Sequence, residues 1–280
     1  DHIAEAIFSK QQLGQTIVGS VENINNSTRH SILEFKEKHY YPSNTVITVS
    51  GKFDEDTICA LIEKYFDKEV KETEHISESV SEVKYTSQHV VIYKSVEQSH
   101  ISLAFPACSM QDKMREACLL MSVILGGGLS SRLFTSIREV NGLAYNVFSQ
   151  LSSYVNGGYL EIYIGTSPNK VKKSCELLSS ELSKFLADGV TLAELDSAKA
   201  QTINSLIMSK ESGLQIMTSL SRSLMKLNKL NDVDDKISRL ASITVKDVND
   251  AIKLVFNNAF ATTYVGKKTQ YSDCVEKIIL

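Results

Sequence analysis

The sequence predicts an α+β protein built from two copies of one kind of domain, the first copy lacking its beginning. Three observations carry this reading. Strand-like segments come as neighbours, 89–94 with 99–106 and 144–154 with 158–165, which suits antiparallel pairing and excludes a doubly wound parallel fold. A unit of helix cap, helix, asparagine-containing turn, strand and Gly-Lys occupies 24–52 and recurs over 243–267, with Tyr264-Val265-Gly266-Lys267 matching Val49-Ser50-Gly51-Lys52. The second copy of that unit closes a long stretch of α and β structure, whereas only residues 1–23 stand before the first.

Taken in order, residues 1–9 already have helical spacing, with Ile3, Ala6 and Ile7 as one apolar stripe. The first residue is Asp1, none of the six methionines stands at the start, and the opening is neither a signal nor a transit peptide, so the chain is expected to enter partway through a helix. Asn26, Ser27 or Thr28 caps a helix to about Tyr40, with Ile32, Leu33 and Phe35 as its stripe, and Pro42 stops it. Residues 45–52 alternate like a strand, and Asp54 or Asp56 opens another helix to about Phe66. From 67 to 88 the chain is charged and serine-rich without apolar periodicity, which marks a linker. After the first two strands a helix spans about 111–125, Gly126, Gly127 and Gly128 break it, and a second covers about 131–140. Asn156-Gly157 turns the next two strands into a hairpin. Pro168 opens a helical region reaching about Phe256, punctuated near Gly189, Gly213, Asn231 and Ser242, and a last strand covers 261–265.

Composition excludes several functions. At 280 residues, 42% hydrophobic and 22% charged, the chain reads as folded and soluble, and no apolar run is long enough to span a bilayer. Its 30 basic and 33 acidic residues leave a net charge of -3 with no basic block, so nothing drives binding to a phosphate backbone and neither nucleic acid nor membrane is an expected partner. The five cysteines are scattered and form no C-x-x-C pair, which argues against a disulfide framework and a thiolate zinc site and suits a cytoplasmic protein.

Most chemical motifs fail on spacing. The triple glycine lacks the G-K-[ST] of a phosphate loop and follows a helix where a strand is required, so it reads as a helix end and a site of close backbone approach. His30, Glu34, Glu37 and His39 are interleaved with Arg29, Lys36 and Lys38 and read as a solvated face, while Glu72, Glu74, His75 and Glu78 fall in the linker. Neither H-E-x-x-H, H-x-x-E-H nor G-x-S-x-G occurs. The run GGGLSSRLFTSIREVNGLAY over 126–145 is more suggestive, although Arg132 and Arg138 suit a dipole-complementing role at a helix end and Tyr145 suits an ordinary strand.

That run, together with Leu13-Gly14-Gln15-Thr16-Ile17-Val18-Gly19 and Tyr40-Tyr41-Pro42-Ser43-Asn44, closely resembles the pitrilysin/insulinase family of zinc metallopeptidases, in particular its processing-peptidase branch. The resemblance implies two homologous metallopeptidase-like domains closing like a clamshell: 1–68 as the end of the first, 69–87 as linker, 88–270 as the second, and 271–280 as a tail. In that family the first domain carries H-x-x-E-H and a further glutamate ligand, all upstream of the segment matching Leu13 to Gly19. Glu5 and Glu22 match neither, so the chain itself is expected to hold no catalytic residue and no metal, with zinc belonging to the full-length parent. Arg138 and Tyr145 match, in order and spacing, the arginine and tyrosine with which the second domain contacts a peptide, and Arg132 matches a structural position. The resemblance thus implies the substrate-positioning part of a zinc endopeptidase acting on unfolded peptides, inactive as it stands; the alternative is a noncatalytic peptide-binding or scaffolding subunit. Besides peptide, the expected partners are a second copy of the chain or the missing N-terminal segment, because an incomplete first domain leaves a sheet edge and apolar face uncovered.

Overall fold

Strand β2 (Ser99–Ala107) alternates buried apolar side chains with smaller or polar ones, and this two-sided pattern makes it the centre of the sheet. In the computed structural model, which describes residues 1–66, 82–230, 232–270 and 272–278, five strands lie in the order β1 (His89–Tyr93), β5 (Ala261–Gly266), β2, β4 (Gly158–Thr166) and β3 (Ala144–Ser153). The β3–β4 hairpin forms as the sequence predicts. The first predicted pair does not: β5 inserts between β1 and β2, parallel to the former and antiparallel to the latter. The physical reason lies in the last strand, whose Tyr264 is fully buried and whose Thr262 and Thr263 are nearly so, a burial that an edge position would not provide. The architecture is α+β with a mixed sheet.

One face of the sheet is covered by α5 (Arg115–Gly126), α6 (Val171–Asp188) and α10 (Val245–Phe256). Ile101, Leu103 and Phe105 of β2 and Ile162 and Ile164 of β4 point into this layer and are fully buried, each contributing roughly 1.5–3 kcal/mol. Phe105 meets Phe256 of α10 edge-on, with ring centroids 4.8 Å apart. On the opposite face, α1 (His2–Phe8) sets Ile3, Ala6, Ile7 and Phe8 against Ala104, Tyr159 and Ala261. The two alanines leave room for the helix to approach. The apolar stripe predicted for residues 1–9 therefore finds its cover on the sheet that follows the linker region.

The chain divides into two compact units. One gathers Asp1–Thr16, Ser81–Ile203 and Ser238–Leu280, and the other Ile17–Val80 and Asn204–Ile237, each over its described residues. The second unit contains α2 (Val21–Asn26), α3 (Arg29–His39), α4 (Glu55–Phe66) and α8 (Gly213–Leu227). Thr28 caps α3 through a reciprocal pair with Ser31, and Asp54 caps α4 by accepting the Thr57 N–H at 2.9 Å, so the predicted helix starts hold. Helix α2 escaped prediction because it is barely one and a half turns long with no apolar periodicity to betray it; the Ser20 cap was its only local sign. The strand predicted at 45–52 is absent: this segment has no ladder partner among the described residues and lies beside α8, where Thr48 Oγ1 donates to the Met217 carbonyl at 3.3 Å. A strand exists only with a neighbour, and alternation supplies just one side of the pair. No apolar side chain among the described residues of this unit is buried; Ile17, Val21, Ile32 and Phe35 are all exposed.

Candidate functional site

The run 126–145 begins where α5 meets β3. A Cβ on Gly126 would collide with Ser149 N and lie 2.9 Å from the Phe148 carbonyl carbon, so only glycine lets the helix end rest on the strand backbone. Ser149 Oγ then donates to the Ser122 carbonyl at 2.6 Å and fastens the contact. The triple glycine is thus a helix end and a close approach.

Arg132 is committed to structure. Its Nε donates to Glu194 Oε1 at 2.6 Å, and a second guanidinium nitrogen donates to Glu194 Oε2 at 2.9 Å and to the Gly189 carbonyl at 2.8 Å. The same guanidinium lies over the Phe185 ring, 4.9 Å from its centroid. Glu194 also accepts from the Thr191 N–H and hydroxyl, closing the start of α7 (Leu192–Ser209). The Arg132 hydrogen bond, chiefly, holds the Glu194 carboxyl down to about 2 against an ordinary 4.5. Sequence reasoning passed over Glu194, although the pattern Thr191-x-x-Glu194 before a helix was there to find it.

Arg138 lies in a wide-turn helical segment of π type, Phe134–Val140, a geometry uncommon in proteins and frequent near functional sites. Buried Ile137 anchors this segment, and Arg138, next along, is exposed with its guanidinium 5.0 Å from the Phe134 ring centroid. The turn that follows is held on both sides: the Gly142 N–H donates to the Arg138 carbonyl at 3.1 Å, and the Leu143 N–H donates to the Ile137 carbonyl at 2.9 Å. Gly142 has φ +56°, which glycine adopts without penalty. Thr166 Oγ1 fixes the Leu143 carbonyl at 2.6 Å and Lys170 Nζ the Gly142 carbonyl at 2.8 Å.

Tyr145 follows at once, and the register explains its pose. Ala144 pairs with Thr166 and Asn146 with Gly165, so the extra residue between them is a β-bulge centred on Tyr145. Ala144 and Val147 are buried, whereas Tyr145 and Asn146 are both exposed, Tyr145 to 75%. The bulge presents two consecutive side chains outward from an edge strand. Asn146 shares its sheet face with Gly165 and His100, and the next rung carries Phe148 stacked on Tyr163 at 4.9 Å, while Tyr163 Oη meets His100 Nδ1 at 2.6 Å. The predicted pair, Arg138 and Tyr145, therefore sits at the two ends of one pinned turn. Neither polar head hydrogen-bonds to the other or to any described residue.

Nothing comparable supports a metal. Among the described residues no group of three or more His, Cys, Asp or Glu side chains is arranged to hold one, so the zinc-binding chemistry of a hydrolytic site does not fit the side chains described. His30, Glu34 and Glu37 are exposed, and His39 packs on the Phe35 ring at 4.4 Å. Glu72, Glu74, His75 and Glu78 lie outside the described residues. No described helix is long and apolar enough to cross a membrane.

Comparison with known proteins returns one family. The profile of the peptidase M16 inactive domain matches residues 26–202. An uncharacterized zinc protease of Bacillus subtilis, YmxG, is 28% identical over 266 residues, covering 95% of this chain and 64% of its own length. The crystal structure of a peptidase M16 inactive domain from Pseudomonas fluorescens superposes with a TM-score of 0.85 at 20% identity, over 96% of this chain and 64% of that one. A chain of complex III2 from Candida albicans superposes at 0.84 with 17% identity, over 100% of this chain and 69% of that one. The sequence thus spans less than two thirds of the curated relative's length.

Proposed function

The chain belongs to the peptidase M16 inactive-domain family, and from that membership we propose that it is the substrate-positioning part of a cytoplasmic zinc endopeptidase that cleaves unfolded peptides. The single observation supporting this reading is the bulge at Tyr145. It sends a phenol outward from an edge strand, seven residues after Arg138, which is also exposed, with both polar heads available to a ligand. Zinc, bound by residues of the full-length parent, would supply a Lewis acid and an activated water. The residues of this chain do the holding: Arg138 grips a carbonyl or carboxylate of the peptide through its guanidinium fork, and Tyr145 Oη donates a hydrogen bond to the oxygen that gains charge as the scissile carbonyl is attacked.

The test uses the full-length protein and an unstructured fluorogenic peptide. Tyr145→Phe removes only the hydroxyl and is expected to lower kcat/KM by about a hundredfold or more, with KM little changed. Arg138→Ala is expected to raise KM. Unchanged kinetics in both variants would remove the pair from the site.

The second reading is a noncatalytic peptide-binding or scaffolding subunit. It is favoured by one observation, that a chain of complex III2 has this fold. An intact H-x-x-E-H and bound zinc in the full-length protein would support the enzyme, and their absence the subunit.

A further inference from the structure

Cys108, just beyond the end of β2, and Cys118, in the first turn of α5, are ten residues apart in sequence, and their Sγ atoms lie 2.8 Å apart in the core. A disulfide bond measures about 2.05 Å, so the two free thiols are near enough for a small side-chain movement to join them. Both positions are held from outside the pair. Ser153 Oγ donates to the Cys108 carbonyl at 2.9 Å, and the Cys118 N–H donates to the Met114 carbonyl at 2.8 Å. Of the other cysteines, Cys59 is exposed on α4, while Cys175 and Cys274 line a separate cavity beside α6.

We propose that Cys108 and Cys118 form an intrachain disulfide when the protein meets a small-molecule disulfide such as oxidised glutathione. One cysteine, as thiolate, attacks a sulfur of the oxidant, breaking its S–S bond and releasing one glutathione thiolate. The second cysteine, deprotonated in turn, attacks the protein sulfur of the mixed disulfide and releases the other. Two protons and two electrons leave the protein, and one disulfide is reduced to two thiols. The Cys108 thiol as hydrogen-bond partner, and then burial, push the Cys118 thiol well above its ordinary range, so the reaction proceeds through local opening of the turn at 109–114. Once made, the bond closes a short loop and ties the end of β2 to the helix that rests on β3.

The chain is equilibrated with oxidised glutathione, quenched in acid, denatured, alkylated and digested with trypsin. Cleavage after Lys113 and Arg115 places Cys108 and Cys118 in separate peptides, which stay joined only through a disulfide. The expected result is that joined pair, abolished by dithiothreitol, together with a thermal midpoint raised by about 5 °C. Cys59→Ala should keep the linked peptides, and both the link and the thermal shift should vanish in Cys118→Ala. Separate, fully alkylated Cys108 and Cys118 peptides would overturn the proposal. So would a bond joining either residue to a different cysteine, or one formed at Cys175 and Cys274 alone. The peptide map of the unsubstituted chain decides the matter even where Cys118→Ala fails to fold.

Discussion

Glu194 shows how one carboxylate organises its neighbourhood. It takes two guanidinium hydrogen bonds from Arg132 and two from Thr191, so it joins the segment after α5 to the start of α7. Its carboxyl titrates at about 2 when folded and at an ordinary 4.5 otherwise, so the unfolded chain binds its proton first as pH falls. The stabilisation is complete above the unfolded value and is lost between about pH 5 and 2. With the side chain 29% exposed and its partner 20%, it amounts to roughly 2–3 kcal/mol. Denaturant titrations of the parent chain and of Glu194→Gln at pH 7 and pH 3 check this: the gap in stability between them should narrow at the lower pH. A constant gap would mean that the pair contributes by packing alone.

Elements ask different things of their ends. The end of α5 must admit a strand backbone, and Gly126 is the residue that allows it. Gly126→Ala is expected to cost about 1–3 kcal/mol, read as a lower urea midpoint with an unchanged slope, because the helix must lift from Ser149. The start of α10 depends instead on Thr244 and Asp247, which cap each other reciprocally. Thr244→Ala should cost about 1 kcal/mol, read as a fall in thermal midpoint, and Thr244→Ser should restore most of it. Both features were legible in the sequence, the first as a glycine break in a helix and the second as a cap before an apolar stripe, although the strand that Gly126 admits is supplied by residues more than twenty positions away. The bulge at Tyr145 was not. Ala144-Tyr145-Asn146-Val147 reads as plain strand until its partners, Thr166 and Gly165, fix the count on the other side.

For the whole molecule, the zinc-dependent hydrolysis proposed above needs metal ligands that the described side chains are not grouped to supply. The chain incubated with zinc and an unstructured peptide is therefore expected to leave the peptide intact by mass spectrometry. Chelator-sensitive cleavage would refute that. Family membership and the longer helices were written in the sequence, because motifs, caps and apolar stripes are local and survive without neighbours. The sequence alone also singled out Arg138 and Tyr145, through the resemblance of the run that contains them. Only the tertiary structure decided that β5 separates β1 from β2, that 45–52 forms no strand, that α1 is covered by the later sheet, and that Cys108 meets Cys118. Each of these is a choice among distant partners, and a segment's own pattern says that it must be covered without saying by what.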